Sequence, residues 1–182
     1  MGIKIEDGVG GGKHASVSVT NRLNVSSKAS ARAFYISRDS GNAYSWTSSY
    51  SAGTGEEVIY VKNTHASNKL FIDKIHVGGV LTGLFELYQV TGTAAGTTIT
   101  GKNLNLTSSN IAAATALGNA SVTSLTIGDR ITLVRTAATA TTLLNMDNTL
   151  ILGFGDAIAI TYTGSTGIVD TMIRGYYEGA TL

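Results

Sequence analysis

Residues 151–167 read ILGFGDAIAITYTGSTG, and the middle of this stretch decides the fold class. Between Ala157 and Tyr162 every second residue is large: Ile158, Ile160 and Tyr162 point one way, and Ala157, Ala159 and Thr161 the other. A period of two is that of an extended strand, since successive side chains leave opposite faces of the chain. GFGD before it and GSTG after it are tight-turn sequences, so the strand is short and bounded at both ends.

The same pattern recurs outward in both directions. Residues 168–177 form a closing strand, and residues 121–126, 131–135, 141–146 and 150–152 give shorter ones. Leu84 opens a strand that runs to Val90 between Gly83 and Gly92. Residues 69–77 form another, with Phe71, Ile75 and Val77 assigned to one face and Asp73 between them. In residues 57–62 four apolar side chains are adjacent, Val58, Ile59, Tyr60 and Val61, which predicts burial on both faces. NTHASN at 63–68 is the turn that follows.

Nearer the N-terminus, residues 33–37 and 43–50 flank the turn sequence DSGN and predict a hairpin, with an exposed aromatic loop as the alternative. Residues 91–110 are a long excursion of Gly, Thr and Asn with one short strand near 97–100. Asn110 is placed to cap a short helix over 111–117, ended by Gly118; an irregular alanine-rich loop is the other option. About ten short strands without a credible βαβ unit define an all-β protein. The two long excursions favour a jelly-roll-like β-sandwich over 31–182, with an immunoglobulin-like sandwich still open, and residues 1–30 form an extended N-terminal arm hinged at Gly8, Gly10, Gly11 and Gly12.

Composition narrows the chemistry. The chain has 182 residues, no cysteine and no proline, so thiol chemistry and disulfides are out and turns fall to Gly, Asn, Asp and Ser. Charged residues are 14% and the formal net charge is +1, which leaves little repulsion between copies. No run approaches the roughly 18 apolar residues of a spanning helix. Residues 1–12 lack the apolar centre of a signal peptide, so a soluble chain not exported in that way is expected.

Candidate catalytic groups are sparse. His14, His65 and His76 are far apart with no metal-ligand spacing and read as surface histidines. Glu86, inside a strand, requires solvent, a basic partner or a role, and no spacing pairs it with Asp73 or Asp156 as a glycosidase dyad. The glycine run at 8–12 lacks phosphate-loop spacing, and no basic patch suits nucleic acid. A non-enzyme without cofactors, metal, membrane or direct nucleic-acid partners is expected. Tyr44, Trp46 and Tyr50 share one strand parity and are the candidate site residues: core filling, a subunit interface or a glycan platform.

Four segments carry a resemblance. EDGVGGGKHASVSVTNRLNV contains Asp7, Gly8, Gly10, Ala15, Val17, Asn21, Arg22 and Leu23; VIYVKNTHASNKLFIDKIHV spans 58–77; GLFELYQVTGTAAGTTITGKNLN spans 83–105; and the closing stretch is the one quoted at the outset. In this order they resemble small structural virion proteins of tailed bacteriophages. The resemblance implies a capsid-decoration, head-fibre or tail-associated virion component, located in the virion and commonly homo-oligomeric, with a trimer expected. Its partners would be the phage major capsid protein or tail proteins, and it brings no catalytic residues. Capsid decoration is the leading expectation, and a tail- or fibre-associated receptor- or carbohydrate-binding module is the alternative. Ser16, Ser18 and Thr20 stand where such proteins often carry acids, so a role that needs acid there does not transfer.

Overall fold

The computed structural model describes residues 5–6, 14–17, 23–24 and 32–178. The chain divides into two compact units, Met1–Ala31 and Arg32–Leu182. In the first, β1 (Ile5–Glu6), β2 (His14–Val17) and β3 (Leu23–Asn24) pair antiparallel in that order, with Ile5 opposite Ala15 and Val17 opposite Leu23. The glycine hinge at 8–12 and the break at Asn21 and Arg22 lie outside the described residues.

The second unit is all-β apart from one short helix. It comprises α1 (Arg32–Ser40), β4 (Ala43–Ala52), β5 (Glu56–Asn63), β6 (Lys69–Gly79), β7 (Gly83–Ala95), β8 (Lys102–Asn103), β9 (Ala114–Thr136), β10 (Thr141–Leu152), β11 (Ala157–Gly164) and β12 (Gly167–Glu178). Two antiparallel sheets result. One has the order β10-β6-β12-β4-β8; in the other, β11, β5, β9 and β7 close on themselves.

Closure depends on β9, whose first part pairs with β5 (Lys62 opposite Thr115) and whose second part pairs with β7 (Phe85 opposite Val134). Asn119 (φ 56°) and Ser124 (φ 63°) stand in the left-handed region within it. Local irregularity of this kind bends a strand without ending it. The separate strands expected at 121–126 and 131–135 are therefore one element, and the helix expected over 111–117 is absent because residues 114–117 are already paired to β5.

β11 explains how the core is organised. Ile158, Ile160 and Tyr162 enter the main buried cluster, which also takes Ile59 and Val61 from β5, Phe85 and Leu87 from β7, Trp46 from β4, Leu70, Ile72, Ile75 and Val77 from β6, and Ile173 from β12. Both sheets thus contribute to one core. Ala157 and Ala159 enter a second cluster with Tyr60, Val90, Leu117 and Val122, enclosed by the four closed strands. The large residues of β11 fill the space between sheets, and the small ones fit the narrow closed side. Tyr60 and Val61 are buried in different clusters, as the unbroken apolar run at 58–61 requires.

Two further elements differ from the sequence expectation for identifiable reasons. The DSGN segment ends a helix and is not a hairpin turn. Gly41 has φ +60° and its N–H donates to Ser37 O at 3.1 Å, a left-handed helix stop. Ile36 packs with Ala43 and Tyr176, so α1 lies on the outer face of the first sheet. In β6 the register to β12 slips between Lys74 opposite Arg174 and Ile72 opposite Gly175, leaving Asp73 as an extra residue. That bulge switches side-chain parity. Leu70 and Ile72 join Ile75 and Val77 in the core, while Phe71 goes to the other face and stacks on Tyr176 at 5.3 Å. The single face expected from sequence for Phe71, Ile75 and Val77 is thus split, with Phe71 on the opposite side.

Candidate interaction surface

The aromatic trio is dominated by the core. Trp46 is 0% exposed and Tyr44 1%, and both belong to the main cluster; their rings lie 6.2 Å apart. Tyr50 is half-buried against the same cluster and donates its hydroxyl to Glu56 Oε2 at 3.2 Å. Burial, followed by the Glu56 carboxylate, pushes the Tyr50 phenol well above its ordinary range. In this chain Trp46 offers no face to a ligand.

The other singled-out groups are placed as follows. Glu86 is partnered: Arg130 Nη1 donates to Glu86 Oε1 at 2.6 Å from the neighbouring β9. His65 sits in the 63–68 turn, where its Nδ1 accepts from the N–H of Asn68 (3.0 Å) and of Ser67 (3.3 Å). His76 lies opposite Met172 in the register, on the face away from Ile75 and Val77. GFGD forms a turn in which Gly153 N–H donates to Asp156 Oδ2 at 2.8 Å. Among the described residues no three His, Cys, Asp or Glu side chains group as a metal site, and no helix is long and apolar enough to cross a membrane.

Asn110 has a role that its sequence context hid. It caps no helix start; its Nδ2 donates to Ser40 O at 2.8 Å and to Asn42 Oδ1 at 3.0 Å. Asn103 Nδ2 donates to Gly41 O at 2.7 Å and Asn105 Nδ2 to Ser37 O at 3.0 Å. Three asparagines of the long excursion therefore satisfy carbonyls at the C-terminal end of α1, groups that a helix leaves without internal partners. The excursion is pinned to the body by its amides.

The surface best suited to a partner is a flank where both sheets leave strand edges unpaired. β10 is the end strand of the first sheet and pairs only with β6. The last part of β9, beyond residue 126, pairs only with β7. A groove of about 180 Å³ separates these elements, lined by Gln89, Ile131, Leu150, Ile151, Asp156 and Ile158. Ile131 is 39% exposed and Ile151 43%; Phe154, in the turn after β10, is 69% exposed. Edge strands are commonly guarded by lysine or proline. Residues 141–152, TTLLNMDNTLIL, contain neither; their guard is the irregularity between Asn145 and Leu150, where Asp147 adopts φ 46°. Nothing in the sequence pattern pairs Ile131 with Ile151, because the relation is between strands of different sheets.

No family model matches the chain, and no curated protein matches it either.

Proposed function

We propose that this chain is a non-enzymatic structural protein of a tailed-bacteriophage virion, acting in capsid decoration by binding the capsid surface as a homo-oligomer, with a trimer as the expected state. The body is read as a jelly-roll-like sandwich. Supporting that architecture is the shared core of the two sheets, in which Trp46, Ile75 and Ile173 meet Ile59, Leu87 and Ile160.

The observation that carries the functional reading is the apolar flank between β9 and β10. Its occupant in this account is a second copy of the chain. Ile131, Ile151 and Phe154 bury apolar area on contact, and the free edges add backbone hydrogen bonds. Low charge removes the repulsion that would oppose such packing. Repetition by symmetry then makes a modest contact sufficient. Residues 1–30 are assigned to the capsid contact, by strand addition to the major capsid protein.

Co-sedimentation with capsids from the virus encoding the chain tests this. The full chain pellets with capsids, and a chain lacking residues 1–30 remains folded but stays in the supernatant. Retained capsid binding after the deletion overturns the arm's role; labelling of the tail alone in immunogold micrographs overturns capsid decoration. The receptor- or carbohydrate-binding alternative rests on an aromatic platform at Tyr44, Trp46 and Tyr50 and on polar loops rich in Asn and Thr; the enclosure of Trp46 removes the platform and leaves the loops.

A further inference from the structure

The start of β4, the 63–68 turn, the end of the long excursion and the end of β12 surround a second pocket, of about 200 Å³. Its wall carries three asparagines, Asn42, Asn68 and Asn110, together with His65 and the phenols Tyr44 and Tyr177. No Lys, Arg, Asp or Glu lines it.

Much of this wall's hydrogen-bonding capacity is unused. Asn42 accepts from Asn110 through Oδ1, leaving its Nδ2 without a partner among the described residues, and Asn110 Oδ1 is likewise open. The Asn68 side-chain amide has no partner at all there; only its backbone is engaged. His65 Nδ1 accepts two backbone N–H groups, which leaves Nε2 as the ring's donor, and no acceptor among the described residues meets it. Tyr177 is 4% exposed and its hydroxyl is buried without a partner among the described residues. Buried polar groups ordinarily find partners, so an unpartnered hydroxyl in a pocket wall is an independent sign of a missing ligand group or ordered water.

We propose that this pocket binds a neutral, hydroxyl-rich ligand, specifically a single saccharide unit. An uncharged wall gives no advantage to an anion or a cation, whereas a sugar presents donors and acceptors in the mixture that amides and an imidazole N–H match. Ile111, 82% exposed at the rim, supplies an apolar contact for the C–H side of a ring. The volume admits one hexose-sized ring. The site shares no lining residue with the β9–β10 groove and does not use Trp46 as a platform.

The test is a titration of the full chain with neutral hexoses, N-acetylhexosamines and a uronic acid, followed through the side-chain amide resonances of asparagine. The expected result is saturable binding of a neutral sugar, with a Kd on the order of 1 mM. Asn68→Ala weakens it at least about tenfold, and Asn42→Ala does so as a second variant, while Thr47→Ala on the outer sheet face changes nothing. Both pocket variants retain the circular dichroism and sedimentation of the wild type. Absence of shifts at about 50 mM sugar, stronger binding of the uronic acid, or unchanged affinity in Asn68→Ala each overturns the proposal. None of these outcomes bears on the oligomeric state, so this site and the assembly surface fail separately.

Discussion

Ser49 of β4 donates its backbone N–H to the side-chain Oδ1 of Asn119 in β9, at 2.9 Å, and so ties one sheet to the other. The backbone N–H of Asn119 returns to Ser48 Oγ at 2.7 Å. Gly118 permits the approach, since a Cβ there would lie 2.7 Å from the Cβ of Ser48. Asn119 combines a left-handed backbone with an acceptor that a glycine lacks.

Replacement at this position separates the two contributions. Asn119→Ala loses the Ser49 bond and keeps the left-handed strain, for a cost of about 1–3 kcal/mol. Asn119→Gly loses the bond alone and is less destabilised. Urea unfolding of the three chains checks the order; an alanine variant as stable as the glycine one contradicts it.

Trp46 offers a second test through its neighbour Gly101, where a Cβ would lie 2.5 Å from Trp46 Nε1 and 3.0 Å from the Cβ of Ala112. Gly101→Ala overpacks this contact and costs about 1–3 kcal/mol. Tryptophan emission of the folded variant shifts to the red as the indole is displaced. Emission identical to wild type with undiminished stability contradicts the tight packing described.

Adjacent residues of β11 respond in opposite ways to volume. Ile158→Ala leaves a hole between the sheets and costs about 2–5 kcal/mol. Ala159→Leu instead forces side-chain atoms into the closed four-stranded side and costs about 1–3 kcal/mol. Denaturant midpoints measure both. A stabilised Ala159→Leu chain shows that the closed side is not filled.

Alkaline stability follows from the phenols. Burial raises Tyr50 and Tyr177 strongly, and Tyr44 and Tyr60 to a smaller degree, above the ordinary value of 10.0. In the unfolded chain these groups lose protons near that value; in the folded chain they hold them. The unfolded state therefore binds fewer protons above pH 10, and stability falls as pH rises. The urea midpoint is level between about pH 8 and about pH 9.5 and declines above about pH 10, with tyrosinate absorbance appearing as the chain unfolds. A midpoint level through about pH 11.5 contradicts it.

The strands that were legible from sequence are those whose alternation survives into tertiary structure. Ile158, Ile160 and Tyr162 advertise β11, and the adjacent apolar residues 58–61 advertise a strand buried on both faces. Phe34, Tyr35 and Ile36 misled because three large apolar residues suit a strand or a helix equally, and Gly41 ends either one. Asp73 hid the face of Phe71, since one extra residue reverses every assignment beyond it. The β9–β10 flank was illegible for another reason: Ile131 and Ile151 are brought together only by the placement of two sheets. Tyr177 and Asn68 meet at one pocket through the same kind of long-range closure.

Sedimentation velocity of the full chain beside Ile131→Asp/Ile151→Asp tests assembly through the β9–β10 flank most directly. Both substitutions lie on exposed side chains, so the fold is retained and circular dichroism is unchanged. The expected result is a homo-oligomer for the wild type, a trimer by mass, and a monomer for the double variant. A wild type that is monomeric at every concentration reached, or an oligomer that survives both aspartates, contradicts it.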